Sequence, residues 1–330
     1  MLTLPTARGP LSSCLLGHLG EEPHPFEVPV VIDDALAGDD FHLSLYLCYE
    51  LHYRGVEGVH DGWEWEPSLL GFRRGLESTF EEAVRREVGD VDPPEDVAHA
   101  LKGLAASDEG PSLASYLQTR ATLEECLEFL IHRSAYHLKE ADPHTWAIPR
   151  LEGLAKAAMV EIQMDEYGGG DATRMHASLF ARTLAASGLD PTYGAYVDVI
   201  PGVTLATVNL MTMFGLHRRL RGATVGHLAM FEMTSTSPNR KYAQGLRRLG
   251  LADATDFFDE HVEADAVHEE IAAHDLAGTL AREEPALAAD IVFGARALLL
   301  LDRLFAEHVL SAWGAGASSL LAGERVTTAP

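Results

Sequence analysis

The sequence predicts an all-α chain, and three observations carry that expectation. Apolar residues recur at helical spacing along most of the 330 residues, strand-type alternation is scarce, and the breaks between periodic stretches fall at Gly and Pro. Helices are expected near 34–54, 66–88, 94–105, 111–119, 122–140, 145–166, 172–187, 195–220, 222–235, 238–249, 254–275 and 286–314. Residues 1–33 are rich in Pro and Gly and read as an extended lead-in. Gly168-Gly169-Gly170 ends one predicted helix, and Asp171 is placed to cap the next. Ser237-Pro238 is expected to separate two more, and Glu284-Pro285 to precede the last. The polar, broken stretch 89–112 is the best internal boundary. It divides the chain into an N-terminal helical extension, 1–115, and a main bundle, 116–330.

Composition narrows the partners. Apolar residues make up 47%, enough for a sizeable core. Fifty acidic residues against 25 basic ones give a formal charge of −25. Such a surface repels nucleic acid and anionic membranes, so neither is expected as a partner. Three cysteines, Cys14, Cys48 and Cys126, form no close pair and suggest no disulfide framework. No signal peptide is apparent at the N-terminus, and a reducing cytoplasm fits. The longest uncharged run, Val199 to Leu216, contains Pro201, Gly202 and Asn209. It reads as a buried helix kinked near Pro201, not as a membrane span.

The sharpest chemical signal is His261-x3-Asp265-x2-His268, which places two imidazoles and a carboxylate on one helical face. Phe258 and Ala272 extend that stripe, so the face is expected to be buried. Polar groups there are costly unless something pairs them, and a metal does so. Three other stripes end in or contain ligand types: Ala155-Met159-Ile162-Glu166, Ala172-His176-Leu179-Phe180 and Val225-Leu228-Glu232. Singly, such a His or Glu is more often a satisfied core residue. Together they supply three carboxylates and three imidazoles from four helices, the inventory of a two-metal carboxylate site in a bundle. Six ligands exceed what a single zinc site uses, which disfavours a zinc hydrolase. Glu-x-x-His, the ferritin-like signature, occurs only at Glu21/His24 and Glu57/His60, in lead-in and turn sequence.

The order Glu166-x9-His176, Glu232, His261-x3-Asp265-x2-His268 resembles the haem-oxygenase-like di-metal oxidases. The context Asp165-Glu166-Tyr167-Gly168-Gly169-Gly170 is similar to actinobacterial members described as iron-containing redox enzymes. The resemblance spans about residues 120–315. It implies a haem-oxygenase-like helical bundle without haem, two iron(II) ions as cofactors and O2 as co-substrate. By the same resemblance, Glu166, His176 and Glu232 would serve one iron and His261, Asp265 and His268 the other. Some relatives add a carboxylate on the preceding core helix, and Glu140, on the stripe Phe129-Arg133-Tyr136-Glu140, is the candidate here.

Family substrates are fatty acids, amino acids and guanidines, so an arginine near the metals is expected. Arg296, Arg303 and Arg133 are the candidates. The remaining histidines His132, His137, His227 and His308 read as surface or supporting groups. The implied function is O2-dependent oxidation of a small aliphatic amino acid or related carboxylate. It would start with C–H abstraction and lead to desaturation, with C–N ring closure as in the azetidine-forming member of polyoxin biosynthesis. The alternatives are N-oxygenation of an amine or guanidine, and a non-catalytic helical protein that binds a metal or ligand. No second catalytic module is apparent, so the multi-step nitrosourea-forming type is not expected as a whole. A small-molecule substrate, an external electron donor and a homodimer are compatible with this reading.

Overall fold

The computed structural model describes residues 2–27, 34–107 and 110–322, except the side chains of 264–267. Among the described residues the architecture is all-α, with one isolated β-bridge, Leu2 to Val56. The N-terminal part holds α1 (Pro10–Leu19), α2 (Asp39–Glu50), α3 (Pro67–Val88), α4 (Val97–Ala106) and α5 (Leu113–Thr119). Then follow α6 (Leu123–His137), α7 (Asp142–Thr145), α8 (Gly153–Glu166), α9 (His176–Ala186) and α10 (Gly202–Leu216). The last third holds α11 (Arg221–Arg248), α12 (Asp256–Glu270), a π-helical stretch (Ile271–Gly278), α13 (Thr279–Glu283) and α14 (Ala288–Gly314). No helix among the described residues is long and apolar enough to cross a membrane.

Four local expectations are corrected. The lead-in contains α1, whose first amides have no local side-chain cap; Asp40 supplies it from α2, accepting from Leu11 N and Ser12 N at 2.8 Å each. Pro201 does not kink α10 but precedes it, because its fixed φ suits the entry and Gly202 starts the helix. Ser237-Pro238 does not divide a helix: α11 runs through Pro238. Tertiary packing of α11 outweighs the one backbone hydrogen bond that proline removes. Asp171 does not cap α9; its carboxylate accepts from Thr173 N at 2.9 Å in a turn, and α9 starts later, at His176.

One cluster of buried apolar side chains takes in Leu45, Tyr49 and Phe80 from the N-terminal helices together with Leu130, Phe214 and Phe305 from the bundle. A second lies between α8, α11 and α14, with Met159, Leu228 and Ile291. The helices α11 and α14 touch backbone to backbone. A Cβ on Gly226 would overlap the carbonyl oxygen of Ile291, and one on Gly294 that of Ala223. Since backbone cannot yield as a side chain does, Gly226→Ala should lose stability at or above the usual overpacking range of about 1–3 kcal/mol. A thermal melt within error of the parent would show that the two helices can separate freely.

Candidate metal centre

Six described side chains form two clusters with one member in common. Glu140, Glu166, His176 and His261 bring ligand atoms within 4.8 Å of one another, and so do Glu166, Glu232 and His268. All six are buried. Glu166, at the C-terminal end of α8, is the shared residue. His176 opens α9, Glu232 lies in α11, and His261 and His268 lie two turns apart on α12.

Glu140 follows the end of α6 in a tight turn. The next residue, Ala141, has φ 73°, the only left-handed non-glycine among the described residues. Strain of this kind persists only where its surroundings enforce it. Here Gln163, one turn before Glu166, donates from Nε2 to the Ala141 carbonyl at 2.9 Å. The same turn thus places Glu140 and ties it to α8.

Each imidazole is oriented by a partner outside the clusters or by the shared carboxylate. His261 Nδ1 lies 2.7 Å from the Phe257 carbonyl, which fixes the proton there and leaves Nε2 facing Glu140 Oε1 at 3.6 Å. His268 Nε2 lies 3.0 Å from Asp165 Oδ2, and its Nδ1 faces Glu232 Oε2 at 3.4 Å. His176 Nδ1 sits 2.9 Å from Glu166 Oε2. His137 Nδ1 lies 2.9 Å from Glu140 Oε1.

Burial would raise the Glu140 carboxyl, but His137 and His261 outweigh it and hold it well below the ordinary carboxylate range. Burial would lower His176, yet Glu166 raises it. For His268, burial is overcome by Glu232, with Asp165 and Glu166 adding, and its pKa is pushed up to about 9.

These residues fit a metal. Glu140 Oε2 is buried without a hydrogen bond in the protein, and His176 Nδ1 and His268 Nδ1 face carboxylate oxygens without hydrogen-bond geometry, an arrangement that a cation relieves. The donors, imidazole nitrogen and carboxylate oxygen, suit iron. Because His268, pushed up to about 9, holds a proton near neutrality without metal, and Glu166 raises His176 as well, iron(II) must compete with protons here. Adding iron(II) to metal-free protein in weak buffer near neutrality should therefore release protons, and affinity should climb as pH rises toward about 9. Uptake with no change in pH would contradict the assignment of these imidazoles.

A narrow cavity adjoins the clusters, lined by Tyr136, Leu228 and Phe231 as well as Glu140, Glu166 and Glu232. His144 also lines it and meets His227 at 3.1 Å, Nε2 to Nδ1. Burial pushes His144 down to about 4 and His227 well below its usual value, so this pair is neutral.

The partition expected from the sequence differs from the one in the fold. His261 joins Glu140 and His176 instead of His268, and Glu232 faces His268. The side chain of Asp265 lies outside the described residues. Arg296 reaches toward the Asp90 carbonyl and lines neither cluster, while Arg133 and Arg303 lie in cavities farther out. Sequence reading missed Ala141 and Gln163, which carry no ligand-type signal. It also missed Asp165 as a supporting group, although that residue stands beside Glu166.

The fold and the paired clusters define an all-helical protein with a buried carboxylate–imidazole site that could hold a metal. Residues 127–303 match the family described as iron-containing redox enzyme, and the chain belongs to that family, with a haem-oxygenase-like fold. The chain is similar to the nitrosourea synthase of Streptomyces achromogenes subsp. streptozoticus, at 28% identity over 157 residues. That match covers 47% of this chain and 31% of the relative, so it spans about a third of the relative's length.

Proposed function

We propose that this chain is a non-haem di-iron enzyme that uses O2 to oxidise a small aliphatic amino acid or related carboxylate. The observation that carries the reading is Glu166, a buried carboxylate common to two ligand clusters. Glu140, His176 and His261 would hold one iron, Glu232 and His268 the other, with Asp265 a further ligand and Glu166 the bridge. Two iron(II) ions in these positions supply the electrons that reduce dioxygen and the oxidising power for substrate C–H cleavage.

The chain's own contribution is placement. Asp165 and the Phe257 carbonyl fix which nitrogens of His268 and His261 face inward. Leu228, Phe231 and Tyr136 limit water beside the clusters. The neutral His144–His227 pair adds no positive charge beside the irons that these residues would hold.

A second reading, N-oxygenation of an amine or guanidine, draws support from the relative named for making a nitrosourea. The test begins with anaerobic iron(II) loading. Exposure to O2 should then give a transient visible absorption band, and a panel of aliphatic amino acids, amines and guanidines should include one that speeds O2 consumption. Loss of hydrogen from the product supports the first reading, and gain of oxygen on nitrogen the second. Loaded protein that is inert to O2 with every member of the panel would leave a binding protein instead.

A further inference from the structure

Three cavities follow one another outward from the metal centre. The inner one, about 10 Å³, has room for a single water. It shares Tyr136 and Phe231 with a middle cavity of about 20 Å³, lined also by the apolar Leu210, Met211, Leu298 and Leu301. The middle cavity in turn shares Arg133 and Asp302 with an outer groove of about 230 Å³. Along α6 and the turn that follows it, the order Arg133, Tyr136, Glu140 runs from the groove to the metal ligand.

The two shared pairs differ in chemistry. Tyr136 and Phe231 meet edge to face with ring centroids 5.4 Å apart. Arg133 and Asp302 form an ion pair at 4.0 Å, the outer limit for one, with the Asp302 side chain 41% exposed. The Arg133 guanidinium is held over the rings of Phe305 and Phe129, at 4.9 and 5.5 Å from their centroids. A guanidinium offers five donors, and a pair this loose leaves most of them for a ligand.

We propose that Arg133 and Asp302 are the substrate-recognition residues at the mouth of this route. They form a clamp for a zwitterionic α-amino acid, with the substrate carboxylate on Arg133 and its ammonium on Asp302. The amino-acid side chain then points inward through the apolar middle cavity, and Tyr136 and Phe231 part to admit it. Three observations favour a zwitterion over a simple anion or cation. The chain's formal charge of −25 disfavours a free carboxylate, and an arginine offsets that locally. An anion alone would leave Asp302 facing it, and a cation alone would face Arg133. The middle cavity, by contrast, offers mainly apolar side chains, with Thr207 and His227 besides, to whatever lies beyond the head group. The clamp rests on the proposed oxidase function for its purpose, but it reads only the head group and holds equally for attack at carbon or at nitrogen.

The experiment uses iron(II)-loaded protein under anaerobic conditions, with binding followed by calorimetry. The probes are L-valine, L-leucine and L-isoleucine, each beside the amine lacking its carboxylate and the acid lacking its ammonium. At least one amino acid should bind, and its amine and acid should each bind about tenfold or more weakly. Arg133→Gln should weaken the amino acid and the acid but spare the amine. Asp302→Asn should weaken the amino acid and the amine but spare the acid. Both variants should keep their iron content, which separates lost recognition from lost folding. Unchanged amino-acid affinity in both variants overturns the clamp. So does an amine or acid that binds as well as its amino acid, or the failure of all three amino acids to bind. If the O2-dependent absorption transient persists in those cases, the oxidase reading stands and only the clamp falls.

Discussion

Glu166→Ala should take the iron content from about two per chain to nearly none, the count expected for a two-metal carboxylate site losing its shared ligand. Glu166 is the one side chain among the described residues common to both clusters. Its removal leaves Glu140, His176 and His261 on one side and Glu232 with His268 on the other. It also removes the group that raises His176, so that imidazole loses its nearest anion. Glu232→Ala should behave differently, because it touches only the second cluster and leaves the four-residue group whole. That variant should retain about one iron. Iron analysis after anaerobic loading and desalting distinguishes the two, and O2-dependent turnover should vanish in both. Two irons retained by Glu166→Ala, or both lost from Glu232→Ala, would remove the shared carboxylate from the scheme.

The contrast between these variants also marks how far the sequence could be read. Helical spacing alone put Ala155, Met159, Ile162 and Glu166 on one face, and all four are buried. It did the same for Val225, Leu228 and Glu232, and for Phe258, His261, His268 and Ala272. Spacing within a helix is a local property, so local pattern suffices. Partition between the clusters is not local. Whether His261 faces His176 or His268 depends on how α9 and α12 cross, and nothing within either segment encodes that crossing. The turn at Ala141 was illegible for another reason. A left-handed glycine announces itself, whereas a left-handed alanine is enforced by Gln163 from a distant helix. The α1 cap supplied by Asp40 and the continuity of α11 through Pro238 belong to the same class: tertiary partners decide them. The arginine expected near the metals illustrates the residue-type limit, since the sequence favoured Arg296 and Arg303 with Arg133 as the third choice, and of the three only Arg133 lines the middle cavity.

Lys139→Ala should be among the most destabilising single changes in the chain. Lys139 is 1% exposed and its ammonium pairs with Glu50 of α2, which is fully buried. Tyr193 donates its hydroxyl to the other oxygen of the same carboxylate. The ammonium also lies over the rings of Tyr53 and Tyr46, at 4.4 and 4.8 Å. Truncating Lys139 would strand the Glu50 carboxylate in an aromatic, water-poor surrounding with a single hydroxyl as compensation. Breaking a buried pair from one side typically costs about 3–5 kcal/mol. The consequence reaches the metal centre because Lys139 immediately precedes Glu140, so the pair holds the turn that aims a ligand. Lys139→Ala should therefore lower iron affinity as well as the melting temperature. Lys139→Met with Glu50→Gln removes both charges at near-constant volume and should recover a large part of the stability, since no uncompensated ion remains. Chemical denaturation of the two single variants and the double variant measures the coupling directly. Additive losses in that cycle would show that Lys139 and Glu50 act independently, and that the N-terminal helices do not brace the metal centre through this pair.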